Sequence, residues 1–406
     1  MSSASDGPLL RGHGGFYGFT ALLASAMAVA IFSNAGLGIL ARFLIDDLGL
    51  TRTEIGWLST AGSLAGALLS PAAGKYADRV GGRTTIIGVF AVSAAGYVAL
   101  GVAPTLGLLF VGALVSGIGQ SGGNPSTNKL IGLHIPPGRR GLATGIKQSG
   151  VQVAIFLGGI ILPTVALAWG WRVALILPGL VAMVCLVLAV RFVPNDPPLP
   201  PRIRGRAGTK TPIPAGIKWM ATDAALNGMI VASLVTYLPL YAEESAGLGI
   251  EAAGLVASVF AFSGFISRTS WAHFAERTRH FSRPLLLISS ISTAGLVLLW
   301  MAQSFGPWLV FVGAFVGATG VAFNAVAFLA VIGSVGQHDA GRATGLVGLG
   351  FGAGLAAGPP LFGFTVDSTN DYQLGFLLLV AIGVAAAALM VAWGRQDRDR
   401  TGRKLS

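Results

Sequence analysis

The chain runs to 406 residues, is 53% hydrophobic, holds 59 glycines and carries a formal net charge of +11. Only 11% of it is charged, against roughly 25% in an ordinary soluble domain. This composition excludes a disordered chain, and the single cysteine, Cys185, excludes a disulfide scaffold.

A hydrocarbon core about 30 Å thick is crossed by about 20 apolar residues in a helix. Twelve low-charge stretches of that size follow one another along the chain, and they predict an all-α polytopic membrane protein with twelve transmembrane helices. In chain order they are residues 16–40, 54–77, 83–103, 106–133, 140–168 and 171–192, then 215–241, 252–276, 283–303, 307–334, 340–366 and 372–394. The loops between them are too short to fold as separate domains. The first stretch is longer than the roughly 7–15 apolar residues of a signal-peptide core, so it reads as a permanent span.

Orientation follows from the basic residues. With a cytoplasmic N-terminus, inner segments hold most of the 27 Lys and Arg residues, and outer segments hold Arg42, Arg52 and Arg172 together with acids such as Asp46, Asp47, Glu54, Glu244 and Asp367. Both termini are then cytoplasmic, and the protein is expected in the cell membrane. The positive balance is a topology signal, so no nucleic-acid partner is required.

Residues 193–214 are rich in Pro and Arg and read as a cytoplasmic linker between an N-terminal six-helix bundle, 1–192, and a C-terminal one, 215–406, that ends in a short tail. The halves repeat each other. Gly56, Gly66, Asp78 and Arg79 recur as Gly254, Gly264, Glu276 and Arg277, and Ala143-Thr144-Gly145 recurs as Ala343-Thr344-Gly345. Parallel duplication of a six-helix unit is the sequence trace of a transporter built from two pseudo-symmetric halves.

The loop after the second span reads Gly74-Lys75-Tyr76-Ala77-Asp78-Arg79-Val80-Gly81-Gly82-Arg83. It resembles the G-x-x-x-D-R-x-G-R-R signature of the major facilitator superfamily, with Gly82 where the first of two terminal basic residues is usual. A degenerate copy, ending in Glu276 and Arg277, occupies the equivalent place in the second half. The resemblance covers essentially the whole chain. It implies a gating role for Gly74, Asp78, Arg79, Arg83, Glu276 and Arg277, with Asp78 near the positive end of the span beginning at Ala340.

Charges inside spans cost roughly 2.5–3.5 kcal/mol each and usually mark a pathway. Here they are Lys129, Lys147, Arg268 and Asp223, placed at comparable depths that let them border one chamber. Gln120, Asn124 and Asn128 recur at i, i+4, i+8 on the fourth span, and Thr144, Gln148 and Gln152 do so on the fifth, giving each helix a polar stripe. In the second half Ala330 replaces Lys129 and Val347 replaces Lys147. Three cations against one acid favour an anionic substrate. The expected contacts are Lys129, Lys147, Arg268, Asn124, Asn128, Gln148 and Gln152, with Tyr237 and Phe323 on an apolar wall. Asp223 is the candidate for proton coupling. The structural alternatives are snorkelling for the two lysines, ion pairing for Arg268 and Asp223, and close packing for the glycines around Gly354 and Gly358.

The run 264–271 resembles the eighth span of monocarboxylate and oxalate-type carriers, and 140–150 resembles the fifth span of cyanate or nitrate permease-like members. This resemblance implies a secondary transporter of a small organic anion, a carboxylate, working by alternating access as a proton symporter or an anion exchanger. Proton-coupled efflux of lipophilic compounds and a non-transporting membrane sensor are the alternatives. No enzyme constellation, metal-ligand spacing or phosphate-binding loop stands in the sequence, so no catalytic role, cofactor or metal is expected. The expected partners are the lipid bilayer, an anionic substrate and a co-transported proton, with the protein as a monomer.

Overall fold

The computed structural model describes residues 12–196, 215–278, 281–334 and 337–402. Among these, regular structure is helical throughout. The helices are α1 (Gly12–Ile39), α2 (Ala41–Leu48), α3 (Arg52–Val80), α4 (Gly82–Val102), α5 (Leu106–His134), α6 (Arg140–Trp169) and α7 (Trp171–Phe192). They continue as α8 (Ala215–Glu244), α9 (Ile250–Glu276), α10 (Ser282–Phe305), α11 (Trp308–Gly317), α12 (Phe323–Ser334), α13 (Gln337–Thr369) and α14 (Tyr372–Gly402).

Eleven segments are long and apolar enough to cross a bilayer. The sequence leads one to expect twelve. The difference lies in α3, whose charge-free stretch between Glu54 and Lys75 is itself only weakly apolar, because Gly56, Ser59, Thr60, Gly62, Ser63, Gly66, Ser70 and Pro71 interrupt it. Two features add detail to the sequence reading. The short helix α2 follows the first span, turning Ala41 and Leu44 inward. The stretch expected as one helix over 307–334 is broken by a 3-10 turn, Ala318–Ala322. Hydroxyls from neighbouring helices serve carbonyls around this turn. Ser292 donates to Gly317 O at 3.0 Å, Ser263 to Phe315 O at 2.5 Å and Ser267 to Thr319 O at 3.5 Å. In an apolar surround, such donors let a helix depart from regularity without stranding backbone groups.

The chain divides into two compact units, Met1–Gly49 with Ala61–Thr209 and Leu50–Thr60 with Lys210–Ser406. Helix α3 therefore begins in the second unit and continues in the first. The expected linker, 193–214, lies largely outside the described residues. In the first unit α1 packs on α6, and α4 packs on α5 and α7; in the second α8 packs on α13, and α10 on α11 and α14. The same pairing repeats within each unit, as duplication requires.

The core of the first unit gathers Phe19, Leu23, Ile86, Phe90, Leu130 and Ala189. That of the second gathers Met220, Leu285, Ile288, Phe323, Val326 and Val347. Helices α8 and α13 approach closely because Gly350, Gly354 and Gly358 face the backbones of Ala221, Ala225 and Met229, where a Cβ would have no space. This is small-residue packing, which brings backbones together where lipid supplies no hydrophobic drive.

Candidate functional site

The most unusual group in the first unit is the ammonium of Lys147. Its helix, α6, leaves the residue 0% exposed. Three oxygens of α5 surround it: Asn128 Oδ1 at 2.6 Å, Thr127 Oγ1 at 3.0 Å and Asn124 Oδ1 at 3.2 Å. The polar stripe on α5 explains the arrangement, since residues four apart share a face and Thr127 lies beside Asn128. All three partners are neutral. Lys147 forms no ion pair among the described residues, so a full positive charge is solvated by dipoles without a compensating carboxylate. An ammonium only donates, so both amides must turn their oxygens to it. Their Nδ2 donors then point elsewhere, on residues that are themselves exposed.

Lys129 takes a different course. Its Nζ donates to Ala77 O, near the C-terminal end of α3, at 2.5 Å. Ala77 O already accepts from Gly81 N at 3.0 Å, so the ammonium adds a second hydrogen bond and complements the helix dipole. Lys129 and Lys147, both expected to border one chamber, thus have different partners: a backbone carbonyl of α3 for the first and three side-chain oxygens of α5 for the second. On α6, Gln152 is 5% exposed and Gln148 half-buried.

In the second unit Arg268 is half-buried on α9, and its Nε has no hydrogen-bond partner among the described residues. Asp223 and Asn227 lie buried one turn apart on α8, with Asn227 Nδ2 donating to Asp223 Oδ1 at 3.2 Å. Two residues expected on an apolar wall are placed otherwise. Phe323 is 0% exposed inside the hydrophobic cluster, and Tyr237 spends its hydroxyl on Arg52 O at 2.5 Å while its ring packs on Phe362.

Tyr237 belongs to a polar clasp at the start of α3. Thr51 and Glu54 form a capping box, with Thr51 N donating to Glu54 Oε2 at 2.7 Å and Glu54 N to Thr51 Oγ1 at 3.2 Å. Asp367, from the end of α13, accepts from Arg52 N at 3.2 Å and Thr53 N at 2.7 Å. The Arg52 side chain reaches Glu244 Oε2 at 2.8 Å and Asp367 Oδ1 at 3.6 Å, and Tyr372 donates to Glu244 at 2.7 Å. Burial disfavours the Arg52 charge, but its bonds to Glu244 and Tyr372 outweigh that and hold the guanidinium more firmly protonated than usual. The sequence reading missed this clasp. The Thr-x-x-Glu signature was visible, whereas its partners are scattered along the chain.

The Major Facilitator Superfamily model matches residues 22–334 and 279–406. The chain belongs to this superfamily. It is 24% identical to the hexuronate transporter of Bacillus subtilis, over 91% of this chain and 92% of that one. It is 30% identical to the probable nitrate/nitrite transporter NarK2 of Mycobacterium tuberculosis, over 89% and 92%. Its fold matches a bacterial homologue of the human lysosomal transporter Spinster with TM-score 0.73, 17% identity and coverage of 95% and 98%. It is thus a multi-pass membrane protein whose family and relatives are transporters and not enzymes.

The superfamily's loop signature can now be placed. Arg83, at the start of α4, donates from Nη2 to Val190 O at 2.6 Å, from Nη1 to Asn195 Oδ1, and through its backbone to Asp196 Oδ2 at 3.2 Å. It therefore holds the end of α7, which makes it an anchor within the first unit. Gly81 has φ +97°, a conformation L side chains rarely adopt, and a Cβ there would strike Asp196. The departure at Gly82 has a packing reason: a Cβ would lie 2.8 Å from Leu130 Cγ. Asp78 and Arg79 are exposed, Gly74 is half-buried with open space at its Cβ position, and Arg277 is exposed. The Glu276 side chain lies outside the described ones.

Proposed function

We propose that this protein moves a small organic anion, a carboxylate, across the cell membrane by alternating access, coupled either to proton symport or to anion exchange. In this reading α3 is the twelfth span, since 29 residues rise about 43 Å as a helix. The twelve form two six-helix bundles with both termini cytoplasmic, and the protein works as a monomer. The observation that carries the proposal is the buried Lys147 ammonium with three neutral oxygen partners and no carboxylate. An uncompensated buried cation is costly, and an anion that arrives to neutralise it gains what the fold forgoes. Asn124 and Asn128 present amide donors beside that charge, Gln148 and Gln152 extend the polar stripe, and Arg268 is a second cation candidate in the other unit. The names of the hexuronate and nitrate/nitrite relatives support negatively charged cargo.

The test uses purified protein in liposomes with labelled glucuronate and nitrate as probes. Lys147→Gln is expected to lower uptake at least tenfold, and Lys129→Gln, which removes a helix-end contact, to leave it within about twofold. That tenfold loss corresponds to about 1.4 kcal/mol of lost interaction. Normal uptake by Lys147→Gln overturns the assignment of the anion site.

A further inference from the structure

The buried pair Asp223 and Asn227 is a second polar site, and the arrangement around Lys147 does not explain it. The two residues are 0% and 1% exposed. Asn227 Nδ2 donates to the main-chain oxygen of Asp223 at 3.0 Å and to its Oδ1 at 3.2 Å, and lies 3.4 Å from Ser289 Oγ on α10. A carboxylate accepts only, so the amide has to present its nitrogen and turn its oxygen away. Two buried oxygens are consequently left without a donor, Asp223 Oδ2 and Asn227 Oδ1. The flanking residues Met220, Ala224 and Ile288 belong to the hydrophobic cluster.

Asp223 makes no ion pair within 4.0 Å among the described residues. On the elements packed around α8 the charged and titratable groups are Glu251, Arg268 and His273 of α9, Arg283 of α10, Asp367 of α13, and Tyr372 and Arg395 of α14. Those at 276, 338, 339, 342 and 397–400 have side chains outside the described ones. On α8 itself Lys218 is exposed, and Glu243, Glu244, Tyr237 and Tyr241 stand at the opposite end of the helix. An ionised carboxylate in this position keeps one amide hydrogen bond and no counter-charge, which is expensive. One proton on Oδ2 removes the charge and turns a buried acceptor without a donor into a neutral hydroxyl.

We propose that Asp223 and Asn227 together bind the coupling proton, which makes the carrier a symporter with its proton site in the second unit and its anion site in the first. Binding forms an O–H bond at Oδ2 with a proton taken from water on one side. Release breaks that bond and returns the proton to water on the other. A proton carried with a monovalent anion cancels the charge moved against the membrane potential. The coupling part rests on the anion-transport reading; the proton site does not.

Two measurements on the full-length protein separate the two. Infrared spectra across pH should show a protonated carboxyl band in wild type that Asp223→Asn removes and Asp223→Glu displaces. In liposomes, uptake of glucuronate or nitrate driven by an inward proton gradient should fall at least tenfold in Asp223→Asn, while exchange between equal internal and external anion stays within about threefold. A pH-dependent band in wild type with no uptake of any anion upholds the proton site and removes the transport reading alone. The proposal is overturned by absence of the band in wild type, by gradient-driven accumulation that survives Asp223→Asn, or by uptake that follows a sodium gradient at uniform pH.

Discussion

At the scale of single residues, the behaviour of Lys147 depends on its partners being neutral. Asn128 lies 2.6 Å from the ammonium, so Asn128→Asp would place a permanent counter-ion where the cargo's charge is wanted. This variant is expected to fold and to lose at least tenfold in anion uptake, read in the same liposome assay. Glycines in the signature loop offer a second contrast. Gly81→Ala forces a side chain into positive φ against Asp196 and should cost about 1–3 kcal/mol in detergent melting experiments. Gly74→Ala enters open space inside α3, where alanine is the better helix former, and should be neutral or stabilising by up to about 1 kcal/mol. Both glycines were legible as motif members; only one is sterically required.

At the scale of elements, ends matter more than middles. Asp367 receives the first free N–H groups of α3, and a carboxylate there also complements the helix dipole. Asp367→Ala should cost about 0.5–2 kcal/mol and speed amide exchange at residues 52–56, whereas Glu251→Ala, an exposed acid at the start of α9, should leave that exchange unchanged. A second tie joins α2 to α7, where Asp47 accepts from Arg172 at 2.7 Å and from Trp171 Nε1 at 3.0 Å. These bonds from Arg172 and Trp171 hold the Asp47 carboxyl below its ordinary value of 3.8. Because the folded value is the lower one, the stabilisation is fully present above pH 3.8 and fades as pH falls through the depressed value. Trp171 fluorescence should accordingly change below pH 3.8 in wild type and be insensitive there in Asp47→Asn.

At the scale of the molecule, the expected topology can be read chemically because one cysteine is easily removed. In a Cys185→Ser background, Gly138→Cys is expected to react with an impermeant maleimide only in inside-out vesicles, and Ser304→Cys only in right-side-out ones. Labelling from the same side for both would overturn the assigned topology. What the sequence determined by itself is the property that accumulates locally along the chain. Apolar runs set the helices, basic loops the expected orientation, and recurring small and charged residues the duplication that the pairing of α1 with α6 and α8 with α13 repeats. The tertiary structure decided where side chains go. Lys129 and Lys147 looked alike in the sequence, yet one closes a helix end and the other sits among three amide and hydroxyl oxygens. Arg52 joins Glu244 and Asp367 across most of the chain, and Asp223 Oδ2 and Asn227 Oδ1 are buried without a donor. Hydropathy and charge are sums over neighbours in sequence, but a hydrogen bond is set by rotation about a helix axis and by partners far along the chain, and only packing supplies those.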